Sequence, residues 1–112
     1  GPRVDSALLQ HVDYFFIADE DAYADLSTMC KDTKGHVILH TNKSSVVSDG
    51  RYEVKYEIDE GMFVPKSNVL GAGDMFASCF LYGIHLGLQI EEIQKFAHET
   101  TSKLIRTENE KI

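Results

Sequence analysis

Two short apolar runs constrain the fold of this chain more than any other feature. They are "DYFFIA", from Asp13 to Ala18, and "HVILHT", from His36 to Thr41. Each is compact, rich in aromatic or β-branched residues and flanked by polar residues, which is typical of a buried strand. The segment between them starts with three acidic residues and ends at Lys34-Gly35, a pattern that predicts a helix. A strand–helix–strand order predicts an α/β layer with a partly parallel sheet.

The next segment, "SSVVSDGRYEVKYEID", changes to the period of an antiparallel hairpin. Asp49-Gly50 stands between two strand-like runs, and this dipeptide is a strong signal for a tight turn. Apolar and charged residues alternate from Tyr52 to Glu57, so one face of the hairpin is expected to contact solvent. The run "MFVP", which ends at Pro65, is a candidate for a last short strand.

Three further segments have the pattern of helices. "RVDSALLQHV" predicts a short helix that begins near Asp5 or Ser6. "MFASCFLYGIHLG" is apolar on nearly all sides, which predicts a buried helix that Gly87 caps. The last segment predicts an amphipathic helix, because apolar or small residues recur at helical spacing: Ile93, Phe96, Ala97, Thr100 and Leu104.

Composition narrows the function classes. The chain has 112 residues, enough for one domain, and its net charge of -7 argues against nucleic acid or an anionic membrane surface as the main partner. No apolar run is long enough to cross a bilayer. Cys30 and Cys79 form no metal-binding or redox spacing, so we expect two reduced thiols, a cytoplasmic location and no protein-bound metal.

The run Gly71-Ala72-Gly73-Asp74 stands directly before the apolar helix. Small residues let backbone amides approach a ligand closely, and a helix N-terminus carries unpaired amides and partial positive charge. This combination predicts an anion hole for phosphate, in which Asp74 could accept a proton from an attacking hydroxyl. A plain glycine turn with Asp74 as a helix cap is the structural alternative. The run matches neither a Walker A loop nor a dinucleotide fingerprint, because the Gly-Lys-Ser/Thr and the third glycine are absent.

The segment "NVLGAGDMFASCFLYGIHLG" resembles the C-terminal signature of ribokinase-like sugar kinases, the PfkB carbohydrate kinase family. The later "KFAHETTSKL" resembles the Phe-Ala-His/Asn helix of that family, and "LLQHVDYFFIADEDA" and "HVILHTNKSSVVSDGRYEV" resemble two of its strand units. The resemblance covers nearly the whole chain, in order. It implies the C-terminal part of a three-layer α/β/α fold with a mostly parallel sheet plus a β-hairpin.

The same resemblance implies roles for single residues. Asp74 would be the general base, and Gly71, Ala72 and Gly73 would form the anion hole. His98 falls where family members line the adenine pocket; a partly buried polar residue is the alternative for it. Thr41 and Asn42 fall on nucleotide contacts. The resemblance therefore implies transfer of the γ-phosphoryl group of ATP, with Mg²⁺ on the nucleotide phosphates, to a hydroxyl of a sugar or nucleoside.

The chain departs from the family pattern at four places. The Asp-Thr before the glycine loop is Asn68-Val69, which leaves activation by a monovalent cation in doubt. Both glycines of the motif after the second strand are missing in residues 40–45. The Asn-x-x-Glu motif falls on residues 18–21, where the Asn is lost and the Glu is shortened to Asp21. A small Gly-Ala pair near the end is Asn109-Glu110.

Family kinases are more than twice as long as this chain, so we expect residues 1–112 to be a single partial domain, the nucleotide-side half of a kinase. We expect such a half to be too short to be active alone, which leaves a second hypothesis open: a non-catalytic half-domain that binds only nucleotide or partner chains. A third is a structural α/β domain with a coincidental glycine turn. An exposed sheet edge and apolar face predict self-association of the isolated chain. The residues that would choose the acceptor are mostly not in this sequence.

Overall fold

A computed structural model of the chain describes residues 6–59 and 71–110. The helices and strands of these residues alternate at first, as predicted, and then end in two long helices. In chain order they are α1 (Ser6–Leu9), β1 (Tyr14–Ala18), α2 (Leu26–Asp32), β2 (His36–His40), β3 (Ser44–Ser48), β4 (Glu53–Glu57), α3 (Ala72–His85) and α4 (Ile90–Glu110). The predicted α/β class is confirmed. The candidate strand "MFVP" lies outside the described residues.

The described strands form one mixed sheet in the order β1-β2-β3-β4. β1 and β2 are parallel, and their register runs from Tyr14 opposite His36 to Ala18 opposite His40. β2 and β3 are antiparallel, with Val37 opposite Ser48. The carboxyl ends of β1 and β2 therefore lie side by side at one edge of the sheet, where ligands bind in open α/β sheets.

The predicted hairpin is confirmed in its position and its two faces. β3 and β4 are neighbours in the sheet, and the residues between them include Gly50, whose φ of 96° is in the left-handed region that favours glycine. Along β4, exposed charged residues alternate with half-buried Val54 and Tyr56. One face of this strand is thus open to solvent, as the sequence alternation requires.

The chain divides into two compact units. The first contains the described part of Gly1–Thr41 together with Ser45–Lys55, and the second contains Asn42–Ser44 and the described part of Tyr56–Ile112. In the first unit, a core cluster joins β1, α2 and β2 through Ile17, Met29, Cys30 and Val37. Burying these side chains contributes about 1.5–3 kcal/mol for each large aliphatic one.

The helix predicted between β1 and β2 begins later than the sequence pattern suggested. Residues Asp19–Asp21 form only a short 3₁₀ turn, and α2 starts at Leu26. The reason is a local cap: the carboxylate of Asp25 accepts a hydrogen bond of 2.8 Å from the Thr28 amide, and this bond lowers the pKa of Asp25. The acidic run therefore lies at the end of β1 and not in the first turn of the helix.

A close backbone contact fixes the start of β2. The His36 amide donates a hydrogen bond of 2.8 Å to the carbonyl of Asp13, directly before β1. A Cβ atom at Gly35 would clash with that same carbonyl oxygen. Gly35 is therefore required because two backbone segments approach closely there. Its predicted role, as the stop of a helix, is not the reason for the glycine.

In the second unit, α3 packs against α4. Gly83 on α3 is buried, and a Cβ there would lie only 3.1 Å from a side-chain carbon of Ile93 on α4, so this glycine lets the helices approach closely. Gly87 has φ of 78°, and the Leu88 amide bonds to the Gly83 carbonyl at 3.2 Å, which confirms the predicted glycine stop of α3.

The prediction that α3 is buried on nearly all sides is wrong. Its buried residues are Phe76, Phe80 and Gly83, whereas Leu81 and Tyr82 are 46% and 54% exposed. Apolar composition all round a helix does not itself supply a second packing partner, and only one stripe of α3 has one in the described part of the chain.

The buried stripe of α4 also differs from the predicted one. Ile93 and Ala97 are buried as predicted, but Leu104 is 43% exposed and Ile105 takes the buried position. His98, Thr101 and Ser102 share the buried face. The helix therefore buries a band with more polar side chains than its apolar spacing indicated, and it continues to Glu110 through the polar end of the sequence.

Candidate functional site

The first turn of α3 contains the predicted run Gly71-Ala72-Gly73-Asp74. Gly71 is the residue before the helix and has φ of 84° and ψ of 14°, a left-handed conformation that glycine adopts without strain. Apart from its two chain neighbours, no heavy atom of the described residues lies within 4 Å of the place where its Cβ would be. The chain therefore enters α3 through a left-handed glycine whose Cβ position no other described residue approaches.

The first amides of α3 follow that turn. The first backbone bond of the helix runs from the Met75 amide to the Gly71 carbonyl at 2.8 Å, so the helix itself provides no acceptor for the amides of Ala72, Gly73 and Asp74. Gly73 is exposed and Ala72 half-buried. The helix dipole adds positive potential at this point, and an anion can be bound here by three donors from one turn.

Asp74 lies in the same turn and is exposed to solvent. It is the only acidic residue in the first turn of α3. The four predicted residues Gly71, Ala72, Gly73 and Asp74 thus form the entry and first turn of one helix.

His98 lies on the buried face of α4, with only 3% of its surface exposed. Its ring centroid is 4.6 Å from that of Phe76, which is one helical turn after Ala72 on α3. On β4, the ring of Tyr56 stacks on His98 at 5.5 Å with an interplanar angle of 20°. His98 is therefore near the beginning of α3 and has aromatic rings as neighbours.

The sequence did not indicate these ring partners. The alternation along β4 predicts which face Tyr56 occupies, and the apolar pattern of α3 predicts that Phe76 is buried. Neither pattern identifies His98 as their common neighbour, because residues 56, 76 and 98 meet only through the packing of three separate elements.

In the first unit, the carboxyl ends of β1 and β2 carry the other candidate residues. Thr41 follows β2 directly and is exposed, and the 3₁₀ turn of exposed acids, Asp19–Asp21, follows β1. His40 ends β2 opposite Ala18. Burial lowers the pKa of His40, and the charge of Asp21 opposes that shift. His40 and its proximity to Asp21 were not predicted; the parallel pairing of β1 with β2 brings them together.

Asn42, the other residue predicted for nucleotide contact, is exposed and belongs to the second unit. Asn68-Val69 lie outside the described residues. Among the residues that the structure describes, no group of three or more metal-ligating side chains could hold a metal ion. In the same part of the chain, no helix is long and apolar enough to cross a membrane. Cys30 and Cys79 are both free thiols.

The fold has clear counterparts among solved structures. A probable sugar kinase from Rhizobium etli CFN 42 superposes with a TM-score of 0.72 at 24% identity, over 87% of this chain and 32% of that one. The chain has part of the ribokinase fold. An adenosine kinase from Sinorhizobium meliloti matches with a TM-score of 0.65 at 24% identity, over 83% of this chain and 31% of the other.

A pyrophosphate-dependent kinase in the ribokinase family, solved with a pyrophosphate analog and myo-inositol, has the same fold. It matches with a TM-score of 0.64 at 22% identity, over 87% of this chain and 38% of its own. The chain thus spans about a third of the length of the solved structures that it matches. No protein-family profile matches the sequence. No curated protein matches it by sequence either.

Proposed function

We propose that this chain is the nucleotide-side, C-terminal half of a ribokinase-like carbohydrate kinase. In that role it contributes to transfer of the γ-phosphoryl group from ATP to a hydroxyl of a sugar or nucleoside. The observation that carries the proposal is the first turn of α3, where a left-handed Gly71 precedes three amides that have no acceptor within the helix and the exposed carboxylate of Asp74. The ribokinase fold of the chain supports it, since proteins with this fold include an adenosine kinase and a probable sugar kinase.

The chemistry fits the proposed reaction. Phosphoryl transfer depends mainly on positioning and on stabilising charge on the transferred group. The amides of Ala72, Gly73 and Asp74 would donate to the oxygens of that group, assisted by the dipole of α3. Asp74 would accept the proton of the attacking hydroxyl, which a carboxylate can do when the hydroxyl lies within hydrogen-bond distance.

Mg²⁺ fits this site only when it is bound through the phosphates of the nucleotide. The described residues contain no metal-binding cluster of three side chains, whereas Mg²⁺ is commonly held by substrate phosphates with few protein ligands. When bound, it would neutralise charge on the phosphates.

Thr41, Asn42 and His98 remain the proposed nucleotide contacts. Thr41 and Asn42 are exposed and follow the carboxyl end of β2, which suits contact with a ligand at that edge. His98 is a proposed contact because its ring packs against Phe76, which lies near the beginning of α3.

Calorimetric titration with ATP, with and without Mg²⁺, tests the anion hole directly. Gly73→Leu is the useful variant, because Gly73 is exposed and does not have a positive φ, so the helix can accept a side chain there. We expect saturable binding that weakens at least tenfold, since the side chain would cover the amides. Ser78→Leu, an exposed site farther along α3, is the matched control and should bind as the parent does. Equal affinity in the parent and Gly73→Leu would contradict an anion hole at this turn.

A non-catalytic half-domain is the second candidate. Its support is the group of exposed apolar side chains on α3 and the four departures from the kinase pattern. This candidate predicts ATP binding, or binding of another chain, without phosphoryl transfer even when the rest of a ribokinase fold is supplied. Transfer of radiolabelled phosphate to any sugar or nucleoside in a screen of acceptors would exclude it.

A further inference from the structure

The imidazole of His98 is enclosed by rings from two other elements. Tyr56 stacks nearly parallel to it, at 5.5 Å and 20°, and Phe76 meets it at 4.6 Å and 47°. His98 and Phe76 are each 3% exposed. An aromatic base that is to contact His98 must therefore take the place of one of these rings.

Tyr56 is the ring that can be replaced. Phe76 is part of the core between α3 and α4, where it also contacts Phe80 at 6.1 Å. Tyr56, by contrast, lies near the end of β4, is only half-buried and has exposed neighbours at Lys55 and Glu57. A tyrosine has two side-chain torsions, so its ring can leave a partly exposed stack at low cost in packing.

The charges around Tyr56 also indicate which end of a nucleotide would bind near it. Burial raises the pKa of Tyr56, and the carboxylates of Glu99 and Asp59 raise it further, so the phenol is neutral and has two carboxylates near it. The beginning of α3 has the opposite potential. A phosphate chain would therefore be favoured at the beginning of α3 and disfavoured beside Tyr56. The uncharged base of a nucleotide is the part expected at the position that the tyrosine ring now occupies.

We propose that Tyr56 determines donor selectivity: its ring occupies the face of His98 on which a nucleobase would stack, so that the site takes a polyphosphate chain more readily than a base. This rests on the proposed function, in which His98 borders the base of a nucleotide. The nearly parallel ring geometry is the one that a stacked purine would adopt. Removal of the ring opens the place to the base and leaves the phosphate contacts unchanged.

The test compares two ligands, Mg²⁺–ATP and Mg²⁺–tripolyphosphate, which share a phosphate chain and differ in the nucleoside. Affinities are measured by calorimetry for the parent, Tyr56→Ala and Tyr56→Phe. In Tyr56→Ala we expect ATP to bind about tenfold more tightly, which corresponds to one base–aromatic stack, with tripolyphosphate affinity within about twofold of the parent. Tyr56→Phe keeps the ring and should leave both affinities unchanged.

Tyr56→Leu provides a second ring-free variant that retains apolar bulk, in case Tyr56→Ala does not fold; circular dichroism and thermal unfolding establish which of them does. Unchanged or weaker ATP binding in the folded ring-free variant, with tripolyphosphate still bound, would overturn the role of Tyr56 and leave the proposed function standing. Failure of the parent to bind either ligand would overturn the proposed function, and the selectivity role with it.

Discussion

Single residues carry the proposed chemistry, and one turn holds most of them. The φ of 84° at Gly71 favours glycine, and the three residues after it have amides with no acceptor inside the helix. Asp74 is exposed in that turn rather than engaged in the core. The position of His98 is different, since it is 3% exposed and has two ring neighbours. The phosphate end of the proposed site is thus open, whereas its base end is covered.

Asp74→Asn tests the proposed proton transfer separately from nucleotide binding at this turn. In a protein that joins this chain to the rest of a ribokinase fold, we expect the substitution to lower turnover by about 10²–10⁴-fold, because the amide cannot accept the proton. Nucleotide affinity should change little, since the backbone amides remain. Steady-state kinetics and calorimetry on the same preparation give both quantities. Turnover within a few-fold of the parent would remove Asp74 from the role of base.

At the scale of elements, backbone proximity decides where strands and helices begin. β2 can start beside β1 only because Gly35 has no side chain to strike the Asp13 carbonyl. α2 starts at Leu26 because Asp25 caps it through Thr28. α3 and α4 approach closely at Gly83 and Ile93. Each of these features links a small residue or a cap to the placement of a whole element.

Gly35→Ala should therefore destabilise the protein. The new methyl would force the start of β2 away from Asp13, and overpacking of this kind costs about 1–3 kcal/mol in free energy of unfolding. Ser78→Ala, at an exposed site on α3, is the matched control, because it shortens a side chain that contacts solvent. Urea unfolding of both variants measures the difference. A Gly35→Ala protein as stable as Ser78→Ala or more so would show that the β1–β2 junction relaxes freely.

At the scale of the whole molecule, the chain carries part of a larger fold. It spans about a third of the length of the solved structures that share the ribokinase fold. In the second unit, the end of α3 exposes Leu81, Tyr82 and Leu86, each more than 40% accessible. Exposed apolar side chains that are close together mark surfaces that associate with other protein.

We expect the isolated chain to self-associate through this surface. Sedimentation velocity should reveal species larger than the 12.6 kDa monomer, increasing with concentration. The double variant Leu81→Gln and Leu86→Gln should shift the distribution toward monomer, because it removes apolar area without touching the ring contact between Tyr82 and Phe96. Glu91→Gln, an exposed site on α4, is the control. A parent chain that stays monomeric at high concentration would contradict the prediction.

The sequence by itself determined the local features. Two apolar runs predicted β1 and β2, Asp49-Gly50 predicted the turn between β3 and β4, and Gly87 predicted the end of α3. These features depend on interactions within a few residues, such as backbone conformation at glycine and alternation along a strand, so the local sequence suffices to specify them. The resemblance of the glycine loop to sugar kinases led to the ribokinase fold in the same way, through a short contiguous motif.

Only the tertiary structure decided how distant segments share surfaces. It buried Ile105 in place of Leu104, left Leu81 and Tyr82 exposed, and placed Tyr56 and Phe76 against His98. It also brought His40 near Asp21 through the parallel pairing of β1 and β2. Such contacts join residues that are 19 or more positions apart in the sequence, and they depend on which elements pack together. Hydrophobic periodicity predicts that a face is apolar, but the identity of the partner that covers it is a property of the folded chain.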